Sequence, residues 1–572
     1  MFESGENLHD DRATLGRVLQ RRLEEEPEAT ASWLVDSEGK SARVTVRALV
    51  ERAYAFAARY GSVREGRKIV AVCLYHGLDL HAAFVGALLA GHIPTMIAPP
   101  SPRMESAKYT DSFCRMLAHI RPSCVVADGA ALEKLDALAL KDFPDSELID
   151  AKTVRDSGLN FETWEGDAEE VALLQHSSGT TGLQKGVALS HRAVLRHNRA
   201  YAERVELTRE DVIVSWLPLY HDMGFVACFL LPLLSRVPFV ELSPFDWVLR
   251  PASLFEQIQK HRATLCWMPN FAFQFMADSV RPSQVAGLSL ASVRAWVNCS
   301  EPVQHSAHAS FLERFAEQGV SETQLTASYA MAENVFAVTQ SRAGEYRVLG
   351  VNRRLFREEH RVETDESEGA LAFVSNGTPV EGTEVAVIDE RGRAIPEGGV
   401  GELAIRGDYL FSGYFRREDL TREALTAEGW YKTGDLGFVR EGEVYVTGRK
   451  KDLIIVQGRN FYPADVEKVV ASVEGVTPGR VVVFGLANEK TGTEGLIVLA
   501  ESEEFEGERA RRLSLRIRNA VAQELDCTPQ DVRVVPPRWL VKSTAGKLAR
   551  ADNRSKYLKN VVKLSGTSPA YV

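Results

Sequence analysis

Short apolar runs of strand length alternate with helical patterns in the first third of the chain, and this alternation constrains the fold more than any other feature. Residues 68–74 (KIVAVCL) predict a buried strand, residues 80–89 a helix, residues 92–98 a second strand and residues 123–127 a third. Continuous apolar strands separated by helices are typical of a parallel sheet that is covered on both faces. The sequence therefore predicts an α/β fold.

The pattern of predicted strands and helices changes twice in the later part of the chain. Between residues 369 and 446, short β-rich runs are separated by glycine-rich turns, which favours a distorted barrel or an antiparallel sheet. After Gly448, strands and helices return and end in an arginine-rich amphipathic helix over 508–525. We place a boundary in the charged stretch Arg449–Asp452. The predicted units are a large N-terminal domain over 1–450, with mixed sheets, helices and a barrel-like subdomain, and a small α+β domain over 451–572.

Length, charge and cysteine usage exclude several classes of protein. A chain of 572 residues is too long for one ordinary domain, and a net charge of −10 disfavours a nucleic-acid partner, because phosphate binding requires a basic face. The uncharged stretch Leu80–Pro102 is interrupted by histidine and proline and does not predict a membrane span. No signal peptide is evident at the acidic N-terminus. Seven scattered cysteines favour buried thiols over disulfides or zinc ligands, so we expect a cytoplasmic protein.

The strongest chemical signal is the run SSGTTGLQKGV over residues 177–187, which follows an apolar strand pattern at 171–174. Glycines let backbone N–H groups approach an anion, hydroxyls donate further hydrogen bonds, and lysine supplies positive charge. The run predicts a phosphate-binding loop, with an ordinary polar loop as the alternative. It is not a Walker A loop, because a glycine follows the lysine. The candidate phosphate ligands are Ser177, Ser178, Gly179, Thr180, Thr181, Gly182 and Lys185.

This loop resembles the signature of the adenylate-forming superfamily, which includes acyl-CoA synthetases, luciferases and peptide-synthetase adenylation domains. Further motifs follow in the order that this superfamily has, across nearly the whole chain. They are Trp216–Gly224, Ser300–Pro302, Tyr329–Glu333, Gly401–Gly407, Tyr431–Asp435, Gly448–Asp452 and Ser543–Lys547. Within the superfamily the chain looks most like the fatty acyl-AMP ligases, on the runs at 217–224, 329–333 and 458–463.

The resemblance implies ATP and Mg²⁺ as cofactors and gives roles to individual residues. Lys547, on a mobile small domain, would stabilise charge that develops at the α-phosphate. Glu333 would hold Mg²⁺, and His221 would close or line the acyl pocket. Besides the loop residues, the nucleotide would be bound by Ser300, Glu301, Pro302, Tyr329 (stacked on adenine), Asp435 (accepting the ribose hydroxyls), Arg449 and Lys451. Each has a plainer alternative, such as a turn aspartate, a core tyrosine or a solvated lysine.

An aromatic and methionine-rich run over 266–276 suggests part of an acyl tunnel, although plain hydrophobic core is an equally good interpretation for most of its members. The candidate acyl contacts are Trp216, Trp267, Met268, Asn270 and Phe271. Trp267 and Met268 stand where related ligases often have glycine, so a narrowed tunnel is expected. No aspartate stands where amino-acid-activating relatives hold an ammonium group, which favours a fatty acid as substrate.

The resemblance implies that ATP activates a fatty or related carboxylic acid as an acyl-adenylate, and that the phosphopantetheine thiol of an acyl carrier protein then takes the acyl group. The carrier is expected in trans, because no chain remains after the small domain, which would swing about Lys451. An acyl-CoA synthetase is the first alternative and a non-catalytic nucleotide-binding regulator the second. Segment 342–373 lies where the ligase branch carries an insertion that brakes the domain motion needed for coenzyme A; a solvated surface excursion is its plainer interpretation.

Overall fold

The computed structural model describes residues 12–63, 66–100, 106–138, 143–155, 161–177, 185–456, 459–488, 493–525, 527–543 and 546–565. In chain order the strands are β1 (Thr30–Val35), β2 (Ser41–Thr45), β3 (Ile69–Cys73), β4 (Ile93–Met96), β5 (Cys124–Ala127), β6 (Glu147–Asp150), β7 (Val171–Ser177), β8 (Lys185–Ser190), β9 (Ile213–Ser215), β10 (Phe239–Glu241), β11 (Leu265–Met268), β12 (Ala295–Asn298), β13 (Leu325–Ala330), β14 (Ala337–Gln340), β15 (Val348–Val351), β16 (Leu371–Val374), β17 (Thr378–Pro379), β18 (Thr383–Ile388), β19 (Gly401–Gly407), β20 (Gly413–Tyr414), β21 (Tyr431–Arg440), β22 (Glu443–Arg449), β23 (Ile454–Val456), β24 (Arg459–Phe461), β25 (Val481–Asn488), β26 (Thr493–Glu501) and β27 (Asp531–Val535). The α-helices are α1 (Leu15–Glu25), α2 (Val46–Tyr60), α3 (Leu78–Leu89), α4 (Ser106–Ile120), α5 (Gly129–Leu138), α6 (His191–Arg204), α7 (Leu231–Leu234), α8 (Pro244–Leu249), α9 (Ser253–His261), α10 (Asn270–Ser279), α11 (Pro282–Val285), α12 (His305–Phe315), α13 (Arg353–Glu358), α14 (Glu418–Ala424), α15 (Pro463–Ala471), α16 (Gly507–Leu525) and α17 (Arg550–Ser565).

A nine-stranded sheet in the order β17-β14-β13-β12-β11-β9-β10-β1-β2 forms the centre of the chain. Six of its strands, from β13 to β1, pair in parallel, so their carboxyl ends meet at one edge of the sheet. Five of these ends are Ser215, Glu241, Met268, Asn298 and Ala330. In open α/β sheets, the loops beyond the carboxyl ends of parallel strands are where ligands bind.

A second parallel sheet, in the order β4-β3-β5-β6, contains the strands predicted at 68–74, 92–98 and 123–127. Every residue of β3 and β5 is buried, which is why these strands are apolar throughout. The helix predicted over 80–89 lies within α3. The predicted α/β class is confirmed.

The β-rich region that follows forms an antiparallel sheet in the order β18-β19-β21-β22. Segment 342–373 is more than a solvated excursion, because β15 pairs with β16 and α13 lies between them. Phe356 of α13 is buried against Phe438 and Tyr462. The segment therefore packs both on the antiparallel sheet and on the chain beyond residue 451.

The C-terminal part places α15 and α16 beside the sheet β25-β26-β27. One of its hydrophobic clusters, which includes Ile454, Val498 and Ile517, draws every member from residues after 453. The boundary near residue 450 stays a prediction. In the ranges that the structure describes, no helix has both the length and the apolar character that crossing a bilayer requires.

Candidate active site

Three predicted nucleotide-binding side chains meet where β21 pairs with β22. The hydroxyl of Tyr329 donates a hydrogen bond to Asp435 Oδ2 at 2.7 Å, and Arg449 Nε lies 3.4 Å from Asp435 Oδ1. Asp435 and Arg449 stand opposite each other in the strand register. Burial raises the pKa of Asp435 above its ordinary value, and the guanidinium of Arg449 opposes this rise. The result is a carboxylate held between a phenol and a guanidinium at one end of the site.

The local sequence explains how Asp435 is oriented. Gly434 adopts φ +73°, a left-handed conformation that favours glycine. The hydroxyl of Thr433 donates to the Leu403 carbonyl at 2.6 Å and accepts from the backbone N–H of Asp435 at 3.0 Å. The predicted turn at Thr-Gly-Asp is therefore an irregular stretch within β21, and Thr433 fixes it to the neighbouring strand β19.

Glu333 lies in a single helical turn after β13 and is only 7% exposed. The hydroxyl of Tyr414 donates to Glu333 Oε1 at 2.7 Å and lies 3.1 Å from the hydroxyl of Tyr431. Lys185 Nζ lies 4.3 Å from the centroid of the Tyr414 ring, within the range of a cation–π contact. Tyr414 thus brings together the predicted metal ligand and the lysine of the predicted phosphate loop.

The predicted phosphate loop connects two paired strands. Ser177 ends β7 and stands opposite Lys185, the first residue of β8, in an antiparallel register. The predicted ligands Ser178, Gly179, Thr180, Thr181 and Gly182 lie outside the described residues. Of the candidate phosphate ligands, Lys185 is described by the structure and lies beside Tyr414.

Lys547 reaches from the C-terminal part to the loop after β12. Its Nζ donates to the backbone carbonyl of Ser300 at 2.6 Å. Ser300 adopts φ +72°, which is uncommon for a residue other than glycine, and such strained positions cluster at functional sites. Glu301 Oε2 accepts from the backbone N–H of Phe271 at 3.0 Å, and Pro302 is exposed. The lysine therefore lies over the carboxyl edge of the nine-stranded sheet.

His221 and Asp222 form a close pair in the loop after β9, with His221 Nδ1 2.6 Å from Asp222 Oδ1. Burial alone would raise the pKa of Asp222. The imidazole of His221 and the ammonium of Lys547 outweigh burial and hold that pKa below its ordinary value. The pair thus lies within electrostatic reach of Lys547.

Aromatic side chains border the loop that carries Lys547. The ring of Trp216 stacks on Trp247 with centroids 3.5 Å apart and planes 4° apart, and it meets Phe271 edge-on at 6.3 Å. A Cβ atom at Gly546 would lie 3.5 Å from Phe271 Cζ. Of the predicted acyl contacts, Phe271 therefore lies beside the loop that carries Lys547, and Trp216 contacts Phe271.

The other predicted acyl contacts have different surroundings. Trp267 and Met268 are fully buried in β11, and the indole N–H of Trp267 donates to the Tyr201 hydroxyl at 2.9 Å. Asn270 Oδ1 accepts from Asn298 Nδ2 at 3.1 Å. These surroundings are those of core residues and agree with the alternative interpretation of the run 266–276 as plain hydrophobic core. A contact of Trp267, Met268 and Asn270 with an acyl chain stays a prediction.

Lys451 lies in a single helical turn between the two parts of the chain. Burial, together with the charge of Arg449, lowers the pKa of Lys451 to about 8. The residues on either side of Lys451 form ion pairs that attach this turn to both parts of the chain. Lys450 pairs with Glu402 at 2.9 Å on the N-terminal side, and Asp452 pairs with Arg550 at 3.0 Å on the C-terminal side.

Sequence reasoning missed Tyr414 and Trp247. Tyr414 contacts Glu333 across 81 positions of the chain, and Trp247 belongs to the short helix α8 rather than to a motif. No spacing signal links either residue to its partner. Only the folded arrangement brings these pairs together.

The site lies at the carboxyl edge of a parallel sheet and receives a lysine from the C-terminal part, an arrangement that fits an adenylate-forming ligase. Residues 19–415 match the model of the family described as AMP-binding enzyme, and the chain belongs to this family.

The chain is similar to particular relatives along nearly its whole length. It is 30% identical to the 4-hydroxyphenylalkanoate adenylyltransferase of Mycobacterium tuberculosis, over 96% of this chain and 92% of that protein. It is 29% identical to the medium-chain-fatty-acid–[acyl-carrier-protein] ligase JamA of Moorena producens, over 96% of both. A structure from a study of fatty acyl-adenylate ligases of E. coli and L. pneumophila matches with a TM-score of 0.89 at 26% identity, covering 96% of this chain and 99% of that chain.

Proposed function

We propose that the protein uses ATP to convert a fatty or related carboxylic acid into an acyl-adenylate and passes the acyl group to the phosphopantetheine thiol of an acyl carrier protein. The observation that carries the proposal is the hydrogen bond from Lys547 to the Ser300 carbonyl. It brings a cation from the C-terminal part to the edge where Asp435 and Tyr329 also lie. The relatives named for fatty-acid and hydroxyphenylalkanoate substrates support this class of acid.

In the first step a carboxylate oxygen attacks the α-phosphorus of ATP, and the bond to the bridging oxygen of pyrophosphate breaks. Pyrophosphate leaves with the bonding electrons. Asp435 orients the nucleotide through the ribose hydroxyls, and Lys547 donates hydrogen bonds to the oxygens on which charge accumulates. Lys185 binds the departing phosphates. In the second step the thiol sulfur attacks the acyl carbon, AMP leaves, and the thiol proton passes to solvent.

Glu333 is suited to the proposed role of magnesium ligand. Its carboxylate is a hard oxygen donor, and the hydrogen bond from Tyr414 fixes its orientation. When bound, Mg²⁺ would neutralise phosphate charge. The contribution of the chain is to hold this carboxylate beside Lys185.

Product analysis tests the proposal directly. The protein is incubated with ATP, Mg²⁺ and a mixture of fatty and hydroxyphenylalkanoic acids, and nucleotide-linked products are identified by mass spectrometry. We expect an acyl-adenylate of at least one acid, together with acid-dependent exchange of labelled pyrophosphate into ATP. Absence of exchange over the whole panel would contradict the proposal and favour a nucleotide-binding regulator.

Segment 342–373 carries the proposed preference for a carrier protein over coenzyme A. The guanidinium of Arg357 is only 6% exposed and lies 3.2 Å from Asp465 Oδ2, on the far side of the predicted boundary. Arg353 Nη1 donates to the Glu524 carbonyl at 2.5 Å. These contacts attach the segment to α15 and α16. Separating Asp465 from the buried guanidinium of Arg357 would leave that cation without its partner, so the attachment opposes rotation of the C-terminal part.

Replacing Arg357 with alanine is expected to raise acyl-CoA formation about tenfold, because the C-terminal part then turns at lower cost. Acyl-CoA is quantified by chromatography with free coenzyme A as acceptor. Arg354→Ala is the matched control, since Arg354 lies on the same helix and, among the residues that the structure describes, forms its ion pairs with Glu358 and Glu359 of the same segment. An Arg357→Ala enzyme that folds normally and makes no more acyl-CoA than the wild type would contradict a braking role.

A further inference from the structure

Helix α16 carries a concentration of positive charge that the adenylation step does not use. The helix has five arginines and two glutamates within a chain whose net charge is −10. Leu513, Ile517, Val521 and Leu525 form its buried face. The opposite face is exposed, and a cleft runs between this helix and β27, the outer strand of its sheet.

The cleft is lined by basic and apolar groups together. We call it the α16 groove, and its lining residues are Ala510, Arg511, Ser514, Leu515, Arg518, Val532, Arg533 and Val534.

The charge of the α16 groove is only partly neutralised by the protein. Arg533 pairs with Asp531 at 2.7 Å, and Arg518 donates to the Pro529 carbonyl at 2.6 Å. Within the described ranges, no carboxylate lies at ion-pair distance from Arg511 or Arg518. The groove therefore presents positive charge to solvent.

An exposed leucine lines the α16 groove together with these arginines. Leu515 is 58% exposed and lies on the face opposite the buried residues Leu513 and Ile517. Ser514 fixes the helix against β27, because its hydroxyl donates to the Val532 carbonyl at 3.1 Å. An apolar centre with a charged rim is the usual organisation of a protein–protein interface.

We propose that the α16 groove binds an acidic amphipathic helix of the acyl carrier protein that accepts the acyl group. The proposal rests on the proposed function, since the carrier is the partner which that function requires. Carboxylates of the carrier helix would pair with Arg511 and Arg518, and an apolar side chain would cover Leu515. A nucleic acid fits less well, because it offers no apolar group for an exposed leucine and the chain as a whole is acidic.

The test separates carrier use from adenylation. Arg511→Glu and Leu515→Asp are compared with wild type for pyrophosphate release and for acylation of holo acyl carrier protein from a bacterial fatty acid synthase. We expect kcat/KM for the carrier to fall about tenfold or more in each variant, while pyrophosphate release stays within about twofold. The carrier reaction of the wild type should weaken with added salt, and that of Arg511→Glu should depend on salt less.

Arg512→Glu is the matched control. It makes the same change of charge on the same helix, but Arg512 pairs with Glu508 and does not line the groove. We expect carrier kinetics close to those of the wild type.

Several outcomes would overturn the proposal. One is unchanged carrier kinetics in both groove variants. Another is a fall in kcat/KM for the carrier in Arg512→Glu as large as in the groove variants. A third is an affinity for duplex nucleic acid that Arg511→Glu abolishes without affecting the carrier reaction. A wild type that forms acyl-adenylate but acylates no carrier would also overturn it. A wild type that forms no acyl-adenylate would instead overturn the proposed function.

Discussion

Replacing Lys547 with alanine is expected to lower the rate of acyl-adenylate formation about 10²–10³-fold, the usual cost of removing one donor to transition-state charge. The dissociation constant of ATP should change by less than about threefold, because the lysine acts on charge that appears only as the phosphorus is attacked. Single-turnover formation of acyl-adenylate and calorimetric titration with ATP measure the two quantities separately.

Lys542→Ala is the matched control for Lys547→Ala. Lys542 precedes the same loop, and its ammonium lies 5.7 Å from the centroid of the Phe271 ring rather than at the Ser300 carbonyl. We expect its adenylation rate to stay within about threefold of the wild type. A Lys547→Ala enzyme that adenylates as fast as the wild type would remove this lysine from the mechanism.

Replacing Asp435 with asparagine should raise the KM for ATP about 100-fold. The carboxylate would lose two charge-assisted hydrogen bonds to the ribose, each worth about 1.5–3 kcal/mol, and an asparagine presents an amide N–H₂ to one of these hydroxyls. Steady-state kinetics with varied ATP give the value. Asp408→Asn, at an exposed aspartate after β19, should leave the KM unchanged.

A modified substrate makes the Asp435 experiment specific. With 2′-deoxy-ATP the wild type loses one of the two ribose contacts, so its KM should rise. In Asp435→Asn the same substrate should have a smaller additional effect, because the contact is already impaired. Equal effects of the deoxy substrate on both enzymes would contradict a ribose-binding role for Asp435.

Local pattern predicted the fold well, for a physical reason. Strands such as β3 are buried on both faces, so every residue must be apolar, and a five-residue apolar run identifies the strand without knowledge of its partners. The family resemblance likewise identified Tyr329, Asp435 and Arg449 as one group, and the structure brings them together. Their catalytic and binding roles remain for the experiments above.

Contacts between distant parts of the chain could not be predicted in this way. The stacking of Trp216 on Trp247 and the bond from Tyr414 to Glu333 depend on how separate elements pack, and neither leaves a periodic signal. Trp267 illustrates the opposite difficulty. A buried aromatic in the core and one at the wall of a tunnel have the same sequence signature. The folded structure reveals the surroundings of Trp267 through its full burial and its hydrogen bond to Tyr201.

The partner of Lys547 is a main-chain oxygen, and every residue that could replace Ser300 carries the same atom. Substitution at position 300 alters the contact only by changing the course of the loop. Of the two groups in this bond, therefore, only the lysine can be lost by a single codon change that leaves the backbone in place. A substitution at position 300 therefore keeps this bond as long as the loop keeps its course, whereas loss of the lysine removes it.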